Sequence, residues 1–331
     1  MTTTQGDLLR DVPPGRLRPL NQTEVKSALV DLKQIAGVEP AVAALLAGDS
    51  TLRDFIVAAL TLSPHLRETA NLEPSLLVAA IEKPVSPQIE ALVQEARRAW
   101  LPAESGGPLP SEGEVMTRLR VAKRRAAFLI ALADLACIYD GKTTTRWLSA
   151  LAEASISAAI DHLLLSSHEA GKISLPDPAT PSRKSGLIVL GMGKLGAEEL
   201  NYSSDIDVVV FFDETAGIVP NPDDAIDIFP RLMRRLVRIL QERTADGYVF
   251  RTDLRLRPDP GSTPLAIPVD AAMNYYEGRG QNWERAAFIK ARPVGGDIAA
   301  GQAFIRDLVP FVFRKYLDRS EERRVGTECV P

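Results

Sequence analysis

Cysteine is nearly absent from this chain of 331 residues: only Cys137 and Cys329 occur. Two cysteines so far apart make neither a disulfide framework nor a zinc-ligand pattern, so a reducing compartment suits the protein. Histidine is almost as scarce. His65, His162 and His168 stand apart in sequence and read as structural or exposed, not catalytic. Charge of one sign is not in large excess either. The formal net charge is −4, with both signs spread along the chain. That argues against a nucleic-acid protein held mainly by phosphate neutralisation, although it leaves room for a local basic groove. No apolar run reaches the roughly 18 residues of a membrane span. The start, Met1-Thr-Thr-Thr-Gln-Gly-Asp7, has no basic segment followed by an apolar one, so no signal peptide is expected. No tandem repeat is evident. What remains is a soluble, cytoplasmic protein with length enough for about two domains.

The first half is patterned for helices. Residues 1–22 hold Pro13, Pro14 and Pro19 among polar side chains and should be irregular. From Thr23 onward Val25, Leu29, Leu32 and Ile35 recur at helical spacing. Asp49 or Ser50 suits the N-cap of a helix over 52–62, which Pro64 should end. Short helices are expected over 74–81 and 87–101, then a Pro-, Gly- and Ser-rich loop over 102–113. The strongest helix spans 114–139. Its basic half (Arg118, Arg120, Lys123, Arg124, Arg125) reads as a solvated face in preference to a surface for an acidic or phosphate-bearing partner. A further helix covers 143–165.

A polar, proline-rich joint over 171–185 marks a domain boundary. Beyond it, β-type runs occupy 187–190, 206–212 and 248–256. Between the last two, 228–243 is helical, with Leu232, Leu236 and Leu240 on one face and Pro230 in the first turn. Pro268 can open a helix through Tyr276. Helices also fit 283–290 and 298–317, the latter kinked at Pro310. Trp283 and Phe288 read as core, not as a platform for stacking bases.

The chemistry is concentrated in residues 187–213. An apolar run enters Gly191-Met-Gly193-Lys194-Leu-Gly196, and a second apolar run opens with Asp205-Ile-Asp207. Residues two apart in a strand share a face, so both carboxylates leave the same side. Burying them is costly without a partner, and a hard divalent cation such as Mg²⁺ is the natural one. A P-loop is excluded: Ile188 stands where its first glycine belongs and Leu195 where its hydroxyl belongs. The glycines do satisfy a dinucleotide-binding fingerprint, and Asp213 lies at about the expected separation. That fold, however, leaves Asp205 and Asp207 inside what should be a wholly apolar parallel strand. A nucleotidyltransferase palm accommodates everything. Its glycine turn cradles phosphates through backbone N–H groups. Its next strand presents Asp-x-Asp, and a neighbouring strand supplies a third carboxylate. Asp253 fits that role: in a strand, Arg251, Asp253, Arg255 and Arg257 would share one face and suit metal-bound phosphates. The plainer readings are a turn-plus-cap for the aspartate pair, and salt bridges from Arg251 or Arg257 to Glu198, Glu199 or Asp259.

Three stretches carry a resemblance. They are Gly191-Met-Gly-Lys-Leu-Gly-x-x-Glu-Leu-Asn-x-Ser-Ser-Asp-Ile-Asp207, Phe250-Arg-x-Asp-Leu-Arg-Leu-Arg-Pro258, and Asn282-Trp-Glu-Arg followed by Lys290-Ala-Arg-Pro293. Together they closely resemble the bacterial bifunctional glutamine synthetase adenylyltransferase/adenylyl-removing enzymes, over about residues 60 to 318. Those enzymes carry two similar nucleotidyltransferase halves, and the wording here is nearer the N-terminal, adenylyl-removing half. The segment 319–331 does not match.

The resemblance implies an α+β fold. A helical region over 23–170 and the joint at 171–185 would precede a DNA polymerase β-like nucleotidyltransferase domain over 186–297, a mixed sheet flanked by helices. The start of a C-terminal helical bundle would occupy 298–318. It implies phosphorolytic removal of AMP from adenylyl-tyrosine, with glutamine synthetase as substrate, ADP as product and PII signal protein as effector. Asp205, Asp207 and Asp253 would be catalytic and hold Mg²⁺. Gly191, Gly193, Lys194, Ser204, Arg255 and Arg257 would contact the nucleotide (ADP or ATP) and inorganic phosphate. Neither nucleic acid nor membrane is expected as a partner. Two other readings remain: a nucleotidyltransferase acting on a different hydroxyl, and a non-catalytic fragment that binds glutamine synthetase or PII protein. The intact carboxylates argue against the second.

Overall fold

A computed structural model describes residues 7–313 apart from Leu20 and Ser105. The expected tail at 319–331 and the end of the last helix lie outside the described residues. By internal contacts the chain divides into two compact units. The first comprises 1–162, 198–205 and 236–251, and the second 163–197, 206–235 and 252–331.

The first unit is helical. Its helices are α1 (Gln22–Ala36), α2 (Pro40–Ala47), α3 (Thr51–Leu62), α4 (Pro64–Leu72), α5 (Pro74–Glu82), α6 (Val85–Arg97), α7 (Glu112–Leu135) and the start of α8 (Gly141–Glu169). Local chemistry sets their ends. Asn21 accepts from the Glu24 amide at 2.8 Å and Ser50 from the Arg53 amide at 3.2 Å. Ser111 and Glu114 close a reciprocal capping box at the head of α7. Pro64 does more than stop a helix. Ser63 ends α3 and also caps α4, and Pro64 sits in the first turn of α4, where its missing N–H costs nothing. Neither α2 nor α4 was anticipated from periodicity. The helices bury Leu32, Ile56, Leu60, Leu66, Ile89, Phe128 and Leu129. Helix α8 is, among the described residues, the one helix long and apolar enough to cross a membrane, but 72% of its most apolar window is buried, as in a core helix.

The basic half of α7 is neither a solvated face nor a free surface. Arg120 is 1% exposed. Its guanidinium donates to the carbonyls of Met116 (2.9 Å), Ile239 (3.0 Å), Glu242 (2.5 Å) and Gly247 (2.9 Å). Arg124 and Arg125 both pair with Glu73, at 2.8 and 2.5 Å. Apart from Met116, one helical turn back, these partners lie 51 to 127 residues away in sequence, beyond the reach of a local pattern.

The second unit is built on a sheet. Its elements are β1 (Leu187–Gly191), α9 (Gly193–Gly196), β2 (Ile206–Phe212), the first part of α10 (Ala225–Gln241), β3 (Thr252–Asp253), β4 (Ile267–Pro268), α11 (Val269–Arg279), α12 (Asn282–Phe288), β5 (Arg292–Gly296) and α13 (Ile298–Val312). The strand order is β3-β2-β1-β5, with β4 also on β2. Strand β1 runs antiparallel to β2 and β5, whereas β3 and β4 are parallel to β2. The mixed sheet and the helices make the protein α+β. Antiparallel pairing of β1 with β2 rules out the dinucleotide-binding fold, which needs a parallel pair joined by a crossover helix.

Both long strands are buried throughout except at Asp207, which is partly exposed. Ile188, Leu190, Val209 and Phe211 pack with Tyr276, Phe304, Leu308 and Phe311. The Phe211 and Phe304 rings lie 4.4 Å apart. Phe288 joins this core, but Trp283 is 44% exposed and does not. Pro230 lies in the second turn of α10, not its first, because the helix begins three residues earlier than the leucine pattern suggests.

Candidate functional site

The second unit places most of the predicted residues. Gly191 ends β1, and the chain turns through Met192, whose N–H donates to the Asp207 carbonyl at 2.9 Å. Each glycine answers a different steric demand. At Gly191 a Cβ would meet Val294 Cγ1 at 2.7 Å and Leu195 Cγ at 2.9 Å. At Gly196 it would meet the Lys290 carbonyl oxygen at 2.0 Å, so backbone passes backbone with no room for a methyl. Gly193 has φ +50°, and a Cβ there would lie 3.1 Å from Asp207 Oδ2. The glycine turn thus faces the second aspartate directly. Lys194 is exposed on α9. Arg292, whose part in the turn the sequence did not disclose, donates to the carbonyls of Gly196 and Leu195, both at 3.2 Å, and holds the end of α9.

Asp207 and Asp253 are register partners in the parallel pair of β2 and β3. Partners at one level of a parallel pair present their side chains on the same face, so these two carboxylates stand side by side. Asp253 is held tightly. Its Oδ1 accepts from the Arg255 amide at 2.8 Å, and its Oδ2 from Arg255 Nη2 at 2.5 Å. The hydrogen bond from the Arg255 guanidinium holds the Asp253 carboxyl below the ordinary carboxylate range. The expected strand over 248–256 therefore reduces to two residues. The Asp253 side chain captures the amide two residues on and turns the chain away. Arg255 and Arg257 do not alternate along a strand with Asp253. Arg257 instead turns inward onto the carbonyls of Leu254 (2.8 Å), Pro260 (2.7 Å) and Thr263 (3.2 Å), and burial lowers its pKa. Its donors brace the 254–263 loop.

The first unit holds the other part of the motif. Ser204 Oγ accepts from the Asn201 amide at 3.2 Å, closing the turn before the aspartates. Asp205 pairs with Arg251, which also donates to the Ser203 carbonyl at 2.8 Å. Arg251 thus takes Asp205, and not Glu198, Glu199 or Asp259, as its carboxylate. Glu198 pairs instead with Arg146 at 3.6 Å. In the chain, Asp205 precedes Asp207 by one intervening residue.

Among the described residues no set of three His, Cys, Asp or Glu side chains is gathered tightly enough to hold a metal ion as it stands. The donor chemistry nevertheless fits a hard cation. Asp207 and Asp253 are level neighbours, Asp205 is joined to Asp207 by one residue, and every donor is a carboxylate oxygen. Arg251 is the counter-charge of Asp205, and Arg255 that of Asp253.

An α+β unit with this glycine turn leading into a carboxylate-bearing strand is the arrangement of a nucleotidyltransferase. The comparisons agree, and the chain belongs to the glutamate-ammonia ligase adenylyltransferase family, whose model matches residues 54–307. Among relatives, the chain is 67% identical over 310 residues to the bifunctional glutamine synthetase adenylyltransferase/adenylyl-removing enzyme of Agrobacterium fabrum. It is 59% identical over 310 residues to that of Rhizobium meliloti and 53% identical over 304 residues to that of Brucella suis. These matches cover 94%, 94% and 91% of this chain. The chain spans about a third of the length of these relatives: 31%, 31% and 30%.

Proposed function

We propose that this segment removes AMP from an adenylylated tyrosine of glutamine synthetase by phosphorolysis, and so takes part in the control of nitrogen assimilation in the cytoplasm. An oxygen of inorganic phosphate attacks the AMP phosphorus, and the bond from that phosphorus to the tyrosine oxygen breaks. The proton given up by the attacking phosphate ends on the tyrosine oxygen, leaving ADP and unmodified tyrosine. PII signal protein is the proposed effector. The sheet would serve as a palm of the DNA polymerase β kind.

The observation that carries this reading is the level pairing of Asp207 with Asp253, with Gly193 facing Asp207. It supports a site where phosphate oxygens approach bare backbone beside clustered carboxylates. Asp205, Asp207 and Asp253 would hold Mg²⁺, which supplies charge neutralisation at the transferred phosphoryl group. The chain's own groups do the rest. The backbone at Gly193 admits phosphate oxygens, because no side chain stands there; at Gly191 the missing side chain instead makes room for Val294 and Leu195 beneath the turn. Lys194, exposed on the next turn, can meet a phosphate in solution. Ser204 holds the turn before Asp205. Arg255 lies at the Asp253 carboxylate with 83% of its side chain exposed, so it can also reach the incoming phosphate. Arg257 fixes the loop beyond.

The test is single-turnover release of ADP from adenylylated glutamine synthetase, with and without phosphate, Mg²⁺ and PII protein. ADP that needs both phosphate and Mg²⁺ is expected. ADP independent of phosphate, or no product from folded protein, would overturn the assignment.

A further inference from the structure

The first unit carries a concentration of charge that the proposed reaction leaves unused. A cleft of about 320 Å³ is lined by His65 and Glu68 from α4, Lys123 and Arg124 from α7, and Arg243 and Tyr248 from the segment after α10. Four cationic side chains, Arg120, Lys123, Arg124 and Arg243, line it against two carboxylates, Glu68 and Asp246. They are not equivalent. Arg120 is spent on backbone carbonyls, as described above. Arg124 is shared between Glu73 at 2.8 Å and Asp246 at 3.5 Å. Lys123 makes no ion pair among the described residues. Its ammonium lies 5.4 Å from the centre of the Tyr248 ring.

A partly buried ammonium without a carboxylate is a costly feature, since it loses hydration and regains only a cation–π contact. Burial lowers the Lys123 pKa. Burial first, and then Lys123, also hold His65 below the ordinary imidazole value. The wall opposite α7 is fixed in place. Thr244 and Gly247 exchange backbone hydrogen bonds at 2.9 and 3.0 Å, and Arg120 holds the Gly247 carbonyl. A site whose backbone is already ordered loses little entropy on binding. Lys123 and Arg243, which make no ion pair among the described residues, together match a group with two negative charges. A compact ammonium beside a guanidinium fork suits phosphate oxygens.

We propose that this cleft binds the phosphoryl group of a small ligand, with Lys123 and Arg243 as its charge partners and the Tyr248 ring as one wall. The group can come from inorganic phosphate or from a nucleotide. The cleft is at the small end of ligand pockets, which suits either.

The test reads Lys123 itself. The full chain is treated with an amine-acylating reagent, and modification of each lysine is followed by mass spectrometry. Inorganic phosphate, ADP, or sodium chloride at matched ionic strength is present. Phosphate or ADP should slow modification of Lys123 roughly tenfold, as expected for a charge-assisted contact, while exposed Lys26 and Lys33 are unaffected. Arg243→Gln should abolish the protection, and Asp207→Asn should leave it intact, which separates this cleft from the proposed catalytic carboxylates. Protection by phosphate alone assigns the free ion, and protection that needs ADP assigns a nucleotide. No protection by either, equal protection by sodium chloride, or protection that survives Arg243→Gln would overturn the proposal.

Discussion

Alanine at Gly193 and alanine at Gly196 should fail for different reasons, and the contrast tests how the glycine turn works. At Gly193 the backbone has φ +50°, a conformation that costs an ordinary residue about 1–2 kcal/mol. The added Cβ would lie 3.1 Å from Asp207 Oδ2, a few tenths of an ångström too close, and a carboxylate can rotate away. Folding should therefore weaken by only about 1–2 kcal/mol. Chemistry should suffer more, because the aspartate that moves is the one level with Asp253. A displacement of that kind can cost on the order of a hundredfold in rate. At Gly196 the Cβ would lie 2.0 Å from the Lys290 carbonyl oxygen and 2.5 Å from that of Gly191. Both are backbone atoms, so no rotamer relieves the clash and the segments must part by more than an ångström. Overpacking usually costs about 1–3 kcal/mol, and a clash with two carbonyls belongs at or beyond the upper end. Urea unfolding followed by circular dichroism measures the stabilities, and single-turnover ADP release measures the chemistry. Normal turnover by Gly193→Ala, or an unchanged unfolding midpoint for Gly196→Ala, would refute the reasoning.

Three further outcomes follow from the same geometry. Asp205→Asn and Asp207→Asn should each abolish ADP release while leaving the circular dichroism spectrum unchanged; full activity in either would remove that carboxylate from the proposed metal set. Arg120→Met should lower the free energy of unfolding by about 3–5 kcal/mol, because the carbonyl of Ile239 would be left buried, and that of Glu242 half-buried, without their charged donor; a loss below about 1 kcal/mol would show that water replaces the guanidinium. The lowered pKa of Asp253 gives a pH dependence with a definite sign. Its contribution is present above the unfolded-state value of about 3.9 and is lost as pH falls through the lower folded value. Stability measured from pH 5 downward should therefore fall less steeply in Arg255→Gln than in the parent chain.

How legible all this was depends on where the deciding partner sits. Ser50 acts within one turn of helix, so a local pattern is enough to read its cap, whereas Ser111 falls in the stretch read as loop and its capping of α7 shows only in the structure. Strands β1 and β2 are short, buried apolar runs between turns, and they too were evident. Strand β5 was not, because Arg-Pro-Val-Gly-Gly looks like loop. It is a strand because β1 pairs with it, so closely that a Cβ on Gly296 would lie 2.0 Å from the Leu187 carbonyl oxygen. The run over 248–256 failed in the opposite direction. Alternation of arginine and aspartate imitates a strand, but an aspartate that can reach the amide two residues on makes a turn. Arg120 shows the limit most plainly: its acceptors at 239–247 lie more than a hundred residues away. Among the proposed site residues, the placement of Gly193 and Asp207 was readable because it is tied to backbone geometry. The placement of Arg255 and Arg257 was not, since long side chains go wherever acceptors are.

Arg255 is the residue for which a structural and a chemical role compete, and one variant separates them. Its amide and guanidinium both bind Asp253, so its presence could be explained by the turn alone. Arg255→Gln keeps the amide contact and removes the ion pair. The guanidinium side chain is 83% exposed, and exposed pairs contribute about 0–1 kcal/mol. The turn should therefore survive with little change in Tm. If Arg255 also receives the attacking phosphate, the KM for phosphate should rise roughly tenfold, the value of a charged hydrogen bond, while the unfolding curve barely moves. A lower Tm with an unchanged KM would mean the opposite: the arginine holds Asp253 in place, and the phosphate is bound by something else.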